Sequence, residues 1–261
     1  MNDRHVVLDL DKVGKDFSSG PFFARRRTAA VGEVSLRVHA NETVGLVGES
    51  GSGKSTLGRM AVGLLTPDRG QVTVQGNALA PMTPKRLREY RRTLQMVFQD
   101  SSNSLNPRMT LEELLVEPFR VQNLHTRHER RRRAAALADE VGLARSGLPR
   151  LPHEFSGGQR QRISIARALA LEPDLLVADE PVSALDVSVQ AQILNLFKDI
   201  QRSRNFAMLF VSHDMAVVEF ISDQVAVLRG GELVEFGSRD DVFDSPQQPY
   251  TRTLLDAAPS L

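Results

Sequence analysis

The chain of 261 residues contains no cysteine. Disulfides, thiolate metal sites and iron–sulfur ligation are thereby excluded, and the absence fits a reducing, cytosolic compartment. Charge of one sign is lacking too: 33 Lys and Arg against 32 Asp and Glu leave +1 at pH 7. Such a balance provides no field tuned to nucleic acid or to an acidic substrate. No apolar run approaches the ~20 residues that span a bilayer, so any membrane role is expected to be peripheral. The opening MNDRHVVLDLDKVG scatters charges among its apolar residues and has no signal-peptide core. Internal repeats and low-complexity tracts are absent from the sequence. What remains is ordinary globular material, 41% hydrophobic and 25% charged, enough to bury a sizeable core as one domain with or without subdomains.

Short β-rich runs alternate with helical patterns, which predicts an α/β fold with a largely parallel central sheet. VVLDLDKV and EVSLRVHA read as early strands, and TVGLVG as a buried strand running into a glycine-rich loop. STLGRMAVGLL reads as a helix that stops near Pro67, followed by strands QVTVQG and LQMVFQ. From about Ser101 to Leu151 the pattern is helical with no convincing strand, the mark of an inserted helical subdomain. Alternation then resumes with DLLVADEP, VQAQILNLFKDIQRS and FAMLFVSHD, and QVAVLRGGELVEFG predicts a hairpin turning at Gly230-Gly231. The end is expected to be a short helix and a proline-containing tail. HTRHERRRRAAALADEVGL reads as the solvated face of an amphipathic helix, with contact to nucleic acid or anionic lipid as the sharper alternative. Arg25 to Arg27 are expected in a surface loop.

Residues Gly48, Glu49, Ser50, Gly51, Ser52, Gly53, Lys54 and Ser55, followed by Thr56, match G-x-x-x-x-G-K-[ST] between a predicted strand and a predicted helix. The glycines let the backbone curl until several N–H groups face one anion. Lys54 can reach the β- and γ-phosphates, and the Ser55 hydroxyl can ligate Mg²⁺. Downstream, the apolar strand LLVAD ends in Asp179 and Glu180. Beside a P-loop, Asp179 would hold Mg²⁺ and Glu180 would orient or deprotonate the attacking water. Gln99 and His213 also end predicted strands, where open α/β sheets bind ligands. Each of the four, taken alone, has the bland reading of a solvated strand end; their convergence is what points to a site.

A second phosphate-binding device lies at Ser156, Gly157, Gly158 and Gln159, ahead of a strong helix-forming run. Free N–H groups at a helix start attract anions. This device has no lysine after its glycines and no hydroxyl placed for a metal, so it is not equipped to hold a nucleotide alone. The economical arrangement is a head-to-tail pair of chains, each offering its P-loop to the other's SGGQ segment.

With these elements in this order, the sequence resembles the ATP-binding subunits of ABC transporters over nearly its whole length. The resemblance implies an ABC cassette of the P-loop NTPase type: a RecA-like core, an antiparallel β subdomain and an inserted helical subdomain. The implied divisions are 1–100 for the first part of the core, 101–160 for the helical subdomain, 161–240 for the second part of the core and 241–261 for the tail. It implies ATP and Mg²⁺ as ligands, Glu180 as the catalytic carboxylate, and His213 on the γ-phosphate. Gln99 would contact Mg²⁺ or the lytic water, and Asp186 of the segment SALD would support the opposing site. The family also places an aromatic ring on adenine upstream of the P-loop; Phe17 is the candidate, with a plain core phenylalanine as the alternative.

VFQDSSNSLNPRMT, LPHEFSGGQRQR and QQPYTRTLL look like the peptide and nickel importer branch. That likeness implies a second ATPase subunit, identical or different, two transmembrane permease subunits and, indirectly, an extracytoplasmic substrate-binding protein. The implied place is the cytoplasmic face of the inner membrane, with no nucleic-acid partner. Two alternatives stay open: a soluble ABC-type ATPase acting on ribosomes or DNA, and an accessory ABC-like protein of a soluble complex such as that of phosphonate breakdown. The C-terminal cysteine cluster of some relatives is absent, and the role of Pro249-Tyr250 is open between a docking or regulatory segment and a packed terminus.

Overall fold

A computed structural model describes residues 5–19, 26–80, 82–99 and 104–257. Two long strands, β1 (Val6–Ser19) and β2 (Arg26–His39), pair antiparallel, and β4 (Arg69–Val74) and β5 (Asn77–Ala78) complete a four-stranded sheet in the order β2-β1-β4-β5. The second sheet has six strands in the order β10-β9-β3-β8-β7-β6. Its members are β3 (Thr43–Val47), β6 (Leu94–Val97), β7 (Leu175–Asp179), β8 (Ala207–Val211), β9 (Gln224–Arg229) and β10 (Glu232–Ser238). All its pairings from β9 across to β6 are parallel, and β10 closes one edge antiparallel. The apolar runs TVGLV, LLVAD and AMLFV are buried at every position, as central strands covered on both faces must be.

The helices are α1 (Lys54–Ala61), α2 (Pro84–Tyr90), α3 (Leu111–Val121), α4 (Arg127–Glu140) and α5 (Gly157–Leu169). They continue with α6 (Val187–Arg204), α7 (Met215–Ile221), α8 (Arg239–Asp244) and α9 (Pro249–Ala257). Helices α3 and α4 each begin with a reciprocal cap, Thr110 with Glu113 and Thr126 with Glu129, which satisfies two otherwise orphan donors per helix. Leu111, Leu114, Leu115 and Phe119 of α3 join Leu137 of α4, Ile163 of α5 and Phe197 of α6 in one apolar cluster with Leu176 and Phe210 of the parallel sheet. The helical segment is therefore fixed to the sheet by a shared core.

Two local expectations change. Arg26 and Arg27 belong to strand β2, paired with Ser19 and Ser18 of β1, and not to a surface loop; Arg25 lies outside the described residues. Pairing with β1 carries the strand through this charged stretch, where Arg27 is exposed. The tail forms two helices where a short helix and a tail were expected, although Pro259 lies outside the described residues. The basic helix α4 buries only Ala134, Leu137 and Ala138, while its Arg131 pairs with Glu112 and its Arg133 with Glu172, the solvated face that its charge pattern predicts.

A phosphate cradle joined to two carboxylates

Parallel pairing puts the carboxyl ends of β3, β8, β7 and β6 along one edge, and the site residues follow those ends in that order. After β3 the loop from Gly48 to Gly53 turns into α1; after β8 comes His213; β7 ends in Asp179 and is followed by Glu180; Gln99 follows β6. An open cleft of about 660 Å³ is lined by Ala30, Gly48 to Gly51, Gly53 to Thr56, Gln99, Glu180, His213 and Leu254. Every Gly-x-x-x-x-Gly-Lys-Ser residue except buried Ser52 therefore faces it.

The glycines at the two ends of the loop are required by contact. A Cβ on Gly53 would lie 2.2 Å from the carbonyl oxygen of Ala30, and its φ of +100° suits only glycine. A Cβ on Gly48 would lie 2.0 Å from the carbonyl oxygen of Leu228. The hairpin turn braces the loop as well, since the N–H of Gly231 donates to the carbonyl of Ser52 at 3.0 Å. Helix α1 starts at Gly53 with no side-chain cap, so its first N–H groups keep their capacity for an anion.

Lys54 is 4% exposed and donates from Nζ to the carbonyls of Gly48 and Glu49, both at 2.7 Å. Burial pushes its pKa down, while Glu180, Asp179 and Glu49 oppose that shift. A buried ammonium held by carbonyls gains a stronger partner when a phosphate enters. Asp179 is 2% exposed and accepts a hydrogen bond from Ser55 Oγ at 2.7 Å. Burial raises its pKa, and the Ser55 hydroxyl is the largest influence opposing that rise.

Glu180 adopts a left-handed backbone, φ +46°, a conformation that costs a non-glycine residue of order 1 kcal/mol or more. Its N–H is held by the carbonyl of Val211 at 2.9 Å. Two polar groups converge on Oε2 of Glu180: Gln99 Nε2 donates to it at 3.0 Å, and His213 Nδ1 lies 3.2 Å away. The four polar strand ends anticipated from sequence thus fall into two adjoining groups, the pair Ser55–Asp179 and the trio Gln99–Glu180–His213. The oxygens of Ser55, Asp179 and Gln99 are hard donors of the kind Mg²⁺ takes. No group of three or more Asp, Glu, His or Cys that could hold a metal occurs among the described residues.

The segment Ser156 to Gln159 does not line this cleft. Ser156 caps α5: its Oγ accepts from the N–H of Gln159 at 3.3 Å, and Gln159 Oε1 accepts from the N–H of Ser156 at 3.0 Å. Gly158 has a packing reason of its own, since a Cβ there would meet Val189 Cγ1 at 2.5 Å, whereas Gly157 would meet only Leu185 at 3.7 Å. Asp186 caps α6, accepting from the N–H of Val189 at 3.0 Å and from Ser188 Oγ at 2.7 Å, and these bonds hold its carboxyl below the usual range. Phe17 sits opposite Thr28 on β1 and is 46% exposed; it is not a core phenylalanine. Ala30, two residues from Thr28, lines the cleft, but Phe17 does not. Sequence reasoning missed Ala30 and Leu254, for which no local signal exists. It marked QQPYTRTLL without connecting that segment to the cradle.

Comparison with known proteins agrees with this geometry. The family model described as ABC transporter matches residues 31–183, and that described as oligopeptide/dipeptide transporter, C-terminal region, matches residues 234–261. The oligopeptide transport ATP-binding protein AppF of Bacillus subtilis is 45% identical over 261 residues, covering 98% of this chain and 79% of that protein. The oligopeptide transport ATP-binding protein OppF of Haemophilus influenzae is 43% identical over 264 residues, covering 99% and 80%. Among solved structures, a dimeric post-hydrolysis state of the ATP-binding cassette MJ0796 bound to ADP and Pi superposes with a TM-score of 0.79 at 29% identity, covering 89% of this chain and 98% of that one.

Proposed function

The chain belongs to the ABC transporter family and is an ATPase of the ABC cassette fold, and from that premise we propose that it is the energy-coupling subunit of an importer for di- or oligopeptides. In this reading it works at the cytoplasmic face of a membrane, paired head to tail with a second ATPase subunit and docked on two permease subunits. No helix among the described residues is long and apolar enough to cross a membrane, so membrane contact would be through such partners. An extracytoplasmic binding protein would deliver the substrate.

ATP enters the cleft, its β- and γ-phosphates received by the N–H groups of the P-loop and by Lys54, which exchanges the carbonyls of Gly48 and Glu49 for phosphate oxygens. Ser55 and Asp179, with Gln99, would hold Mg²⁺, which when bound neutralises charge on the transferring phosphoryl group. Glu180 orients the attacking water and takes its proton; His213, already beside Glu180, turns toward the γ-phosphate. Phe17, exposed on β1 outside the cleft lining, stacks on an adenine that extends beyond the cleft past Ala30. The opposing subunit contributes its SGGQ segment, and Asp186 supports that subunit's site in return.

The observation that carries the reading is the convergence of Gln99 and His213 on the one carboxylate, Glu180, beside a complete P-loop. The peptide class is supported by the C-terminal match and by the names of AppF and OppF. Permease docking is supported by a groove of about 350 Å³ that reaches Phe98, next to Gln99, and includes Leu64, Met96 and Val121. Leu64 and Val121 are each about half exposed there, at 49% and 50%. The test is to recover tagged Glu180→Gln protein with ATP from its native cells and identify what accompanies it. Two permeases and an ATPase subunit are expected; ribosomes, DNA-bound proteins or a soluble enzyme complex without a permease would overturn the transport reading.

A further inference from the structure

The Gly48–Glu49 peptide is gripped from both sides. Its carbonyl accepts from Lys54 Nζ at 2.7 Å, and its N–H donates to Tyr250 Oη at 3.3 Å. A peptide unit is planar, so fixing its N–H fixes the direction of its C=O. Gly48 itself imposes little on that direction, because a glycine at φ +150° lacks the Cβ that would restrict it. The tether comes from 201 residues away in sequence.

Tyr250 is itself held firmly. It is 9% exposed and packs in one cluster with Val47, the residue just before Gly48, and with Val227. The guanidinium of Arg229 lies 4.8 Å from its ring centroid, within cation–π range. The start of α9 is fixed to β10 by Glu235, which accepts from the N–H of Gln247 at 2.7 Å, from that of Gln248 at 3.2 Å, and from the Thr251 hydroxyl. Thr251 is fully buried. One turn beyond Tyr250, Leu254 lines the nucleotide cleft, so residues four apart on one helix face touch both the loop and its cavity.

We propose that Tyr250 is a positioning residue for Lys54, acting through the Gly48–Glu49 peptide, so that the C-terminal helix sets the affinity of the P-loop for ATP. The inference rests on the ATPase reading of the cleft. Without the tether the peptide rotates, Lys54 loses its fixed resting place, and ATP must order the loop as it binds. A cost of that kind falls equally on bound substrate and transition state, so it raises KM and spares kcat.

Tyr250→Phe is the test, because it keeps the ring, the Arg229 contact and the packing and removes only the hydroxyl. ATP affinity of the purified chain is measured by calorimetry, and KM and kcat by steady-state hydrolysis in the assembled complex. Loss of one neutral hydrogen bond predicts roughly a 3- to 10-fold rise in Kd and KM, with kcat within about twofold and the unliganded melting temperature lowered by only a few degrees. Unchanged Kd and KM in Tyr250→Phe, with Lys54→Ala still losing ATP, would overturn the inference alone. Unchanged ATP affinity in Lys54→Ala would overturn the cleft reading and this inference with it.

Discussion

The chain starts two helices with glycine-bearing segments, and the two starts are finished in opposite ways. At α1 the preceding residue is Gly53, with no side-chain cap, and the loop before it curls around a buried lysine. At α5 the preceding residue is Ser156, and a reciprocal cap with Gln159 satisfies two of the orphan groups within the helix itself. An uncapped start beside Lys54, Ser55, Asp179 and Glu180 retains unmet donors and has chemistry to apply to whatever meets them. A capped start with no such neighbours in the cleft can add donors to a phosphate held elsewhere, and little more. In the function proposed above, one device is a site and the other contributes to a partner's site.

That contrast can be broken or sharpened by mutation. The largest effect is expected at the first cradle: Glu180→Gln should lower ATP turnover by about 10²- to 10⁴-fold, the range of a lost general base, while ATP affinity stays near wild type. Hydrolysis and binding assays on the same preparation check it, and near-normal turnover would remove Glu180 from its role. At the second cradle the effect should be on stability. Gly158→Ala forces a methyl against Val189 and should cost about 1–3 kcal/mol, as overpacking does, read as a lower denaturation midpoint without nucleotide.

The smallest effect concerns the burden of keeping a carboxylate buried at the first cradle. Burial raises the folded-state pKa of Asp179 above its unfolded value, so the folded chain holds that proton more tightly. The contribution of this group to stability is then full below the unfolded pKa and is lost as pH rises through the folded one. Asp179→Asn should therefore melt slightly higher than wild type at neutral pH, with the gap closing toward acid. A gap of constant size across pH 3 to 8 would contradict this account of Asp179.

Much of this was legible in the chain. Strands such as TVGLV, LLVAD and AMLFV are apolar throughout because both sheet faces are covered, and the polar residues that end LLVADE and FVSH stand out against them. The P-loop is legible because its glycines, lysine and serine form a short fixed pattern, although the carbonyls that exclude a Cβ at Gly53 and Gly48, those of Ala30 and Leu228, come from elsewhere in the chain. Other features depend on contacts that no local pattern encodes. Strand β2 runs through Arg26 and Arg27 because β1 pairs with it in register, and charge there mimics a loop. The Tyr250–Glu49 bond joins segments 201 residues apart, and sequence spacing cannot announce it. Asp186 was read only for its place opposite a second subunit, yet within this chain it caps α6.

The division of labour between the two cradles is tested most directly by Gly157→Asp. The site has room for a side chain, with Leu185 at 3.7 Å from the added Cβ, and an acidic residue in the first turn favours the helix. Folding should survive, while the new carboxylate repels a phosphate approaching from another subunit. The account predicts that the isolated variant chain binds ATP as wild type does and that the assembled complex loses hydrolysis. An isolated Gly157→Asp chain that loses ATP as completely as Lys54→Ala would contradict it, because both cradles would then serve the same nucleotide.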